Sequence, residues 1–141
     1  MKFIYATGGR ENYYATSEVG DCVVRAICNA TGRDYKEVYN LVNSYASRDR
    51  GRDSTSTARN GVSKELTHQI LTDMGWTWVP TMFFGKGCQV HMRENELPRG
   101  IIIVCVSKHV ACVKDGVLFD TFDCTRGGRR CVYGYYTPPT V

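Results

Sequence analysis

The sequence predicts an α+β domain, with helices in the first half and a sheet in the second, and three observations carry that prediction. Between residues 20 and 75 apolar residues recur at helical spacing, with Gly32 and Gly75 as stop signals. Between 76 and 137 the pattern changes to short β-branched runs, of which Ile101 to Val106 is the longest. Within that second half, Asp115-Gly116 is a two-residue turn of the kind that closes a tight hairpin. Helices followed by hairpin-linked strands make N-terminal helices packed on a C-terminal antiparallel sheet. At 141 residues the chain reads as one domain, 1–141, long enough to bury its own core.

Taken in order, Lys2 to Tyr5 is a short edge strand, and residues 8 to 19 read as loop. The first helix follows Asp21, with Val23, Ala26, Ile27 and Ala30 at helical spacing and Thr31-Gly32 at its end. Asp34 caps a second helix whose apolar stripe is Tyr35, Val38, Leu41, Val42 and Tyr45, and Ser63 caps a third carrying Leu66, Ile70, Leu71 and Met74. Between Ser47 and Gly61 no large apolar side chain occurs, so a mobile surface loop is expected there. Trp76 to Val79 is a strand ended by Pro80. Residues 81 to 100 are punctuated by Gly85, Gly87, Pro98 and Gly100, and only Cys88 to Met92 has strand character. Strands are then expected at Ile101–Val106, Lys108–Lys114, Val117–Phe122 and Arg130–Tyr136.

Composition narrows the class. Charged residues at 23% and hydrophobics at 43% are ordinary for a globular domain, and the net charge of +4 is modest. No apolar stretch approaches the roughly 20 residues that a membrane span needs. Seven cysteines, an odd number, follow no export signal, so a reduced, cytoplasmic chain is expected. Their spacings are loose, with no Cys-x-x-Cys, so the sequence points to no metal and no cofactor.

One cysteine stands apart. Gly20-Asp21-Cys22 drops straight into the first helix, and a thiol at a helix start faces unpaired N–H groups that favour the thiolate. Cys28 and Cys112, in apolar surroundings, read as structural. A nucleophilic cysteine needs a base and a group to orient that base. His68 reads as helix surface and His91 as an exposed loop residue, but His109 interrupts a strand between Val104-Cys105-Val106 and Val110-Ala111, where a polar ring must find a partner or face a cleft. Counting back from the Asp115-Gly116 turn pairs Val113 with Leu118, Ala111 with Asp120 and His109 with Phe122. Asp120 is then diagonal to His109 on one face, roughly 7–8 Å away between backbones, and is the orienting acid. Asp123 takes that role if a bulge shifts the register.

This series resembles the papain-like cysteine peptidase superfamily. Gly20-Asp21-Cys22 opens an early helix, Ser107-Lys108-His109-Val110 places a histidine on a later strand, and the hairpin to Asp120 adds an acid. The order is similar to that of compact microbial members such as the bacteriocin-leader peptidases, and Asp21-Cys22-Val23-Val24-Arg25-Ala26 resembles small proteins of phages and bacteria. The resemblance implies a Cys22–His109–Asp120 triad acting on a peptide or protein substrate. The family also implies a glutamine about six residues before the cysteine to help hold the oxyanion, where this chain has Thr16. Asn12, Ser17 and Glu18 are the neighbouring candidates to replace it, with the Cys22 backbone N–H as a further donor, and losing a side-chain donor costs on the order of 10²–10³ in rate.

Other functions fit parts of the chain. The same triad serves acyl transfer, and an inactive member would act as a binding module. Arg126, Arg129 and Arg130 beside Tyr133, Tyr135 and Tyr136, with the arginines at 48, 50, 52 and 59, are the features of a nucleic-acid surface, although Asp49, Asp53 and Asp123 dilute the charge. Neither substrate identity nor oligomeric state is readable from the residues.

Overall fold

The computed structural model describes residues 1–14, 20–49 and 56–140. Three helices, α1 (Cys22–Thr31), α2 (Tyr35–Asp49) and α3 (Lys64–Asp73), precede most of a six-stranded sheet. Its strands are β1 (Lys2–Tyr5), β2 (Thr77–Pro80), β3 (Ile101–Val106), β4 (His109–Lys114), β5 (Val117–Asp120) and β6 (Gly134–Thr137), in the order β1-β5-β4-β3-β6-β2. The α+β class is as expected. The sheet is mixed rather than antiparallel, because the N-terminal strand β1 returns beside β5 in parallel, Lys2 opposite Val117 and Tyr5 opposite Asp120. Local periodicity cannot reveal such a pairing, since its partners lie more than a hundred residues apart.

Helix boundaries follow their caps. The Asp34 carboxylate accepts the Glu37 backbone N–H at 3.2 Å at the start of α2, and Ser63 Oγ accepts from Leu66 N at 3.2 Å at the start of α3. The start of α1 differs: Asp21 occupies the N-cap position, but its side chain makes no capping bond and is engaged elsewhere.

Helices cover one face of the sheet. Val24 and Ile27 of α1, Val38 and Val42 of α2, and Leu66, Ile70 and Leu71 of α3 pack with Ile103, Cys112 and Tyr136 from the strands. On the other face Ile102, Val104, Ala111, Val113 and Leu118 pack with Met92, Leu97 and Val132 from the connections. Burial on both faces accounts for the unbroken apolar run of β3.

The β4–β5 hairpin has the expected register, Lys114 opposite Val117 and Val113 opposite Leu118, around Asp115 (φ 49°) and Gly116 (φ 77°), the left-handed pair that a type I′ turn requires. The strand β5 stops at Asp120, however, so the expected extension to Phe122 is absent and Phe122 lies half-exposed in a bend. The last strand is also shorter than expected, since residue 131 only bridges to His91 and the ladder begins at Gly134. The region from 81 to 100 likewise holds isolated bridges, Met82 to Cys88 and His91 to Cys131, instead of a strand.

Two further expectations are corrected. The polar stretch 47–61 begins inside α2, which runs to Asp49, and its last part is built into the molecule: Ser56 and Ala58 are buried, and the Ala58 N–H donates to Asn43 Oδ1 at 2.8 Å. The remainder of that stretch, 50–55, lies outside the described residues. The cysteines are not all reduced, since Cys88 and Cys131 form a disulfide, while Cys22, Cys28, Cys105, Cys112 and Cys124 are free. Among the described residues no helix is long and apolar enough to cross a membrane.

Candidate active site

Cys22 is the first residue of α1, and the approach to it is tight. A Cβ at Gly20 would stand 3.0 Å from the Asn60 carbonyl oxygen and 3.1 Å from its carbon, so glycine is needed there for the 57–61 turn to pack beside the helix start. Helix α1 lies across β4, which brings its N-terminus to the end of the sheet where β4 begins and β5 ends. His109 opens β4 after the two-residue Ser107-Lys108 turn, in which Lys108 takes a left-handed φ of 57°. Asp120 closes β5.

His109 Nε2 lies 2.6 Å from Asp120 Oδ2. The other oxygen of that carboxylate accepts the Thr121 backbone N–H at 2.7 Å and faces Arg25 Nη2 at 3.3 Å, so Asp120 also caps the turn that follows it. Cys22 and Cys124 also interact with the imidazole, and Phe122 packs tilted against it with ring centroids 5.0 Å apart.

These contacts set the charge states. Burial disfavours a thiolate at Cys22, yet the hydrogen bond and charge of His109, the Val110 backbone N–H and the Arg25 guanidinium outweigh it, and the pKa falls below its ordinary 9.0. Burial also disfavours imidazolium at His109, but hydrogen bonds to Asp120, Cys124 and Cys22, with the Asp120 charge, raise its pKa to about 11. Both shifts act toward a thiolate–imidazolium pair, the activated form of a nucleophilic cysteine. Cys28, Cys105 and Cys112 are the contrast: burial pushes each to about 12, with carboxylates adding to it at Cys28 and with Lys64 at Cys105 and Lys114 at Cys112 too weak to offset it.

Beneath the pair runs a buried charge network. Arg25, 4% exposed, directs Nη1 at Asp21 Oδ1 and Nη2 at Asp120, and its Nε has no partner among the described residues. Asp21, 1% exposed, also accepts from Arg10 Nη1 at 3.1 Å and from the Tyr35 hydroxyl at 2.5 Å. A buried carboxylate offered two guanidiniums and a phenol is better satisfied by them than by a helix N–H, which explains the missing cap.

The sequence-derived residues thus fall into groups. Cys22, His109 and Asp120 come together. Asp123 does not join them, since its Oδ1 accepts from the Thr125 backbone N–H at 2.9 Å and hydroxyl at 2.6 Å. Asn12 ends a short 3₁₀ turn, exposed, with its amide nitrogen beside Gly9, while Thr16 and Ser17 lie outside the described residues. His68 donates or accepts at the Tyr136 hydroxyl, 2.8 Å from Nδ1, and His91 meets Glu96 at 3.2 Å. The residues that sequence reasoning passed over are Arg10, Arg25, Phe122 and Cys124. Arg25 had a signal: a cation on the apolar face of α1, one turn after Asp21. Among the described residues, those able to hold a metal ion are His109, Asp120 and Cys124, whose ligand atoms all lie within 4.8 Å of one another.

Neither a protein-family model nor a curated protein nor a solved structure matches the chain.

Proposed function

We propose that this protein is a thiol-dependent hydrolase of papain-like type, acting on a peptide or isopeptide bond through Cys22, His109 and Asp120. The observation that carries the reading is the imidazole of His109, bonded to Asp120 through Nε2 and acting on the Cys22 thiol at the start of α1. With Nε2 engaged by the carboxylate, Nδ1 is the nitrogen suited to exchange a proton with the sulfur.

In this reading the Cys22 thiolate attacks the substrate carbonyl carbon. The resulting oxyanion is met by the Cys22 backbone N–H, one of the unpaired donors at the start of α1. The His109 imidazolium protonates the departing amine and becomes neutral, leaving an acyl group on the sulfur. Neutral His109 then takes a proton from water as it attacks the thioester, and returns it to the sulfur–imidazole pair when the acid leaves. Asp120 keeps the ring oriented and stabilises its charged form. Replacing water by an amine in the second step makes the same residues an acyltransferase.

The test is reaction with iodoacetamide at neutral pH, with the adduct located by mass spectrometry. Cys22 is expected to be alkylated ahead of the other free cysteines, and His109→Ala to slow that reaction. Hydrolysis of a mixed peptide library that is lost in Cys22→Ala completes the assignment. Alkylation that spares Cys22, or that proceeds equally in His109→Ala, overturns it.

A further inference from the structure

Cys124 is a buried thiol, 1% exposed, that the chemistry above does not use, yet its sulfur lies within 4.8 Å of the same imidazole that acts on Cys22. It sits in the turn just after Phe122 and Asp123, where the shortened β5 brings the chain back under His109. Asp120, the third neighbour, is 2% exposed. One sulfur, one imidazole nitrogen and one carboxylate oxygen therefore converge within 4.8 Å, the sulfur and the carboxylate buried and the imidazole partly so.

We infer that His109, Asp120 and Cys124 form a zinc-binding site that switches the thiol chemistry off. The donor set is what a borderline-soft divalent ion takes, with bonds of about 2.0–2.3 Å and hence ligand atoms about 3.5 Å apart in a tetrahedron. The observed spacing lies within reach of that value after small side-chain movements. Three protein ligands leave a fourth position for water. A hard ion such as magnesium, which demands six oxygens, has no such set here.

Binding displaces protons rather than electrons. Cys124 loses its thiol proton to become a thiolate ligand, and His109 ligates as neutral imidazole, so the imidazolium proton leaves too. The ion takes the place of the Nε2 proton held between His109 and Asp120; Nδ1 keeps its proton, but a metal-bound neutral imidazole gives that proton up only by becoming an imidazolate, so His109 no longer serves as the acid or the base. The site stands on its own geometry; the switching role rests on the thiol-hydrolase reading. Because both released protons are favoured at low pH, zinc binds more tightly as the pH rises.

The test uses Zn²⁺ alone, titrated into Cys22→Ala so that the nucleophile contributes nothing, and compares Cys22→Ala/Cys124→Ser and Cys22→Ala/Asp120→Asn. All three are checked for folding by circular dichroism, and Co²⁺ in place of zinc reports the thiolate through its charge-transfer absorption. The expected result is one ion per chain in Cys22→Ala, with a thiolate–cobalt band. In Cys22→Ala/Cys124→Ser the band disappears and affinity falls by at least ~100-fold, the upper end of what losing even a hydrogen bond to a ligand costs. Zinc that binds the folded variants equally, or that does not bind folded Cys22→Ala at micromolar concentration, overturns the site. Because no arm reads activity, these outcomes are independent of whether Cys22 is a nucleophile. In the wild type, zinc that binds at this site without slowing alkylation of Cys22 overturns the switching role alone.

Discussion

Arg25 Nη2 lies 3.3 Å from Asp120 Oδ1 while Nη1 of the same guanidinium holds Asp21, so one buried cation ties the residue before Cys22 to the carboxylate that hydrogen-bonds His109. The start of α1 and the end of β5 are thereby fixed to each other by charge as well as by apolar packing. Removing the cation leaves two buried carboxylates short of a partner, which costs about 3–5 kcal/mol when a buried pair is broken. Arg25→Ala is expected to lose stability in that range by urea unfolding. Arg25→Lys, with a single ammonium in place of the planar fork, cannot serve both acids in the same geometry and is expected to recover only part of it. A loss below about 0.5 kcal/mol in Arg25→Ala, the size of an ordinary surface effect, would show that the network does not hold the site together.

What was legible in the sequence, and what was not, divides by range of interaction. The candidate triad could be read because Cys22 begins a helix, His109 begins a strand and Asp120 follows a two-residue turn whose register is fixed by Asp115-Gly116. Each of those signals is local. An aspartate before a helix usually caps it, but the Asp21 side chain is taken by partners that include Arg10, eleven residues back in a stretch without periodicity. The parallel return of β1 to β5 and the pairing of Cys88 with Cys131 leave no trace in spacing, since each joins segments distant in the chain. Cys124 looked like one of several loosely spaced cysteines until the early end of β5 turned it toward His109.

The Cys88–Cys131 disulfide closes a loop of 43 residues that contains β3, β4 and β5. In the chain-entropy account a crosslink of that span stabilises the native state by about 4 kcal/mol. Reduction is therefore expected to lower the urea midpoint substantially, and Cys88→Ser/Cys131→Ser to reproduce the reduced protein. Mass spectrometry of the unreduced chain under iodoacetamide checks the pairing itself: five cysteines, not seven, are alkylated after unfolding without reductant. Seven adducts, or identical midpoints with and without reductant, contradict the crosslink.

The His109–Asp120 bond predicts the pH dependence of stability. A pKa raised from 6.5 to about 11 means the native state holds a proton that the unfolded state releases between those values. The stabilisation is complete below about pH 6.5 and is lost as pH rises through about 11. The lowered pKa of Cys22 works in the opposite direction, its contribution being lost as pH falls through its native value, so the comparison is made in Cys22→Ala. In that background the stability advantage over Cys22→Ala/Asp120→Asn is expected to shrink steadily from pH 7 to pH 10. An advantage that stays constant or grows across that interval rules out a protonated imidazole held by Asp120.

Alkylation kinetics distinguish the two sources of thiolate at Cys22. The helix start and the Arg25 guanidinium act on the sulfur whether or not the imidazole is present, whereas His109 supplies both a hydrogen bond and a charge. Burial, the largest influence on this thiol, pushes the pKa up and remains when His109 is removed. The wild-type rate against iodoacetamide is therefore expected to inflect below pH 9, and that of His109→Ala above it. Each unit of displacement lowers the thiolate fraction at neutral pH about tenfold, so the variant is expected to react at pH 7 at least ~10-fold more slowly. His109→Gln, which retains a hydrogen-bond donor but no charge, is expected to fall between them. Profiles that coincide in all three proteins would assign the thiolate to the helix start alone and remove His109 from the site.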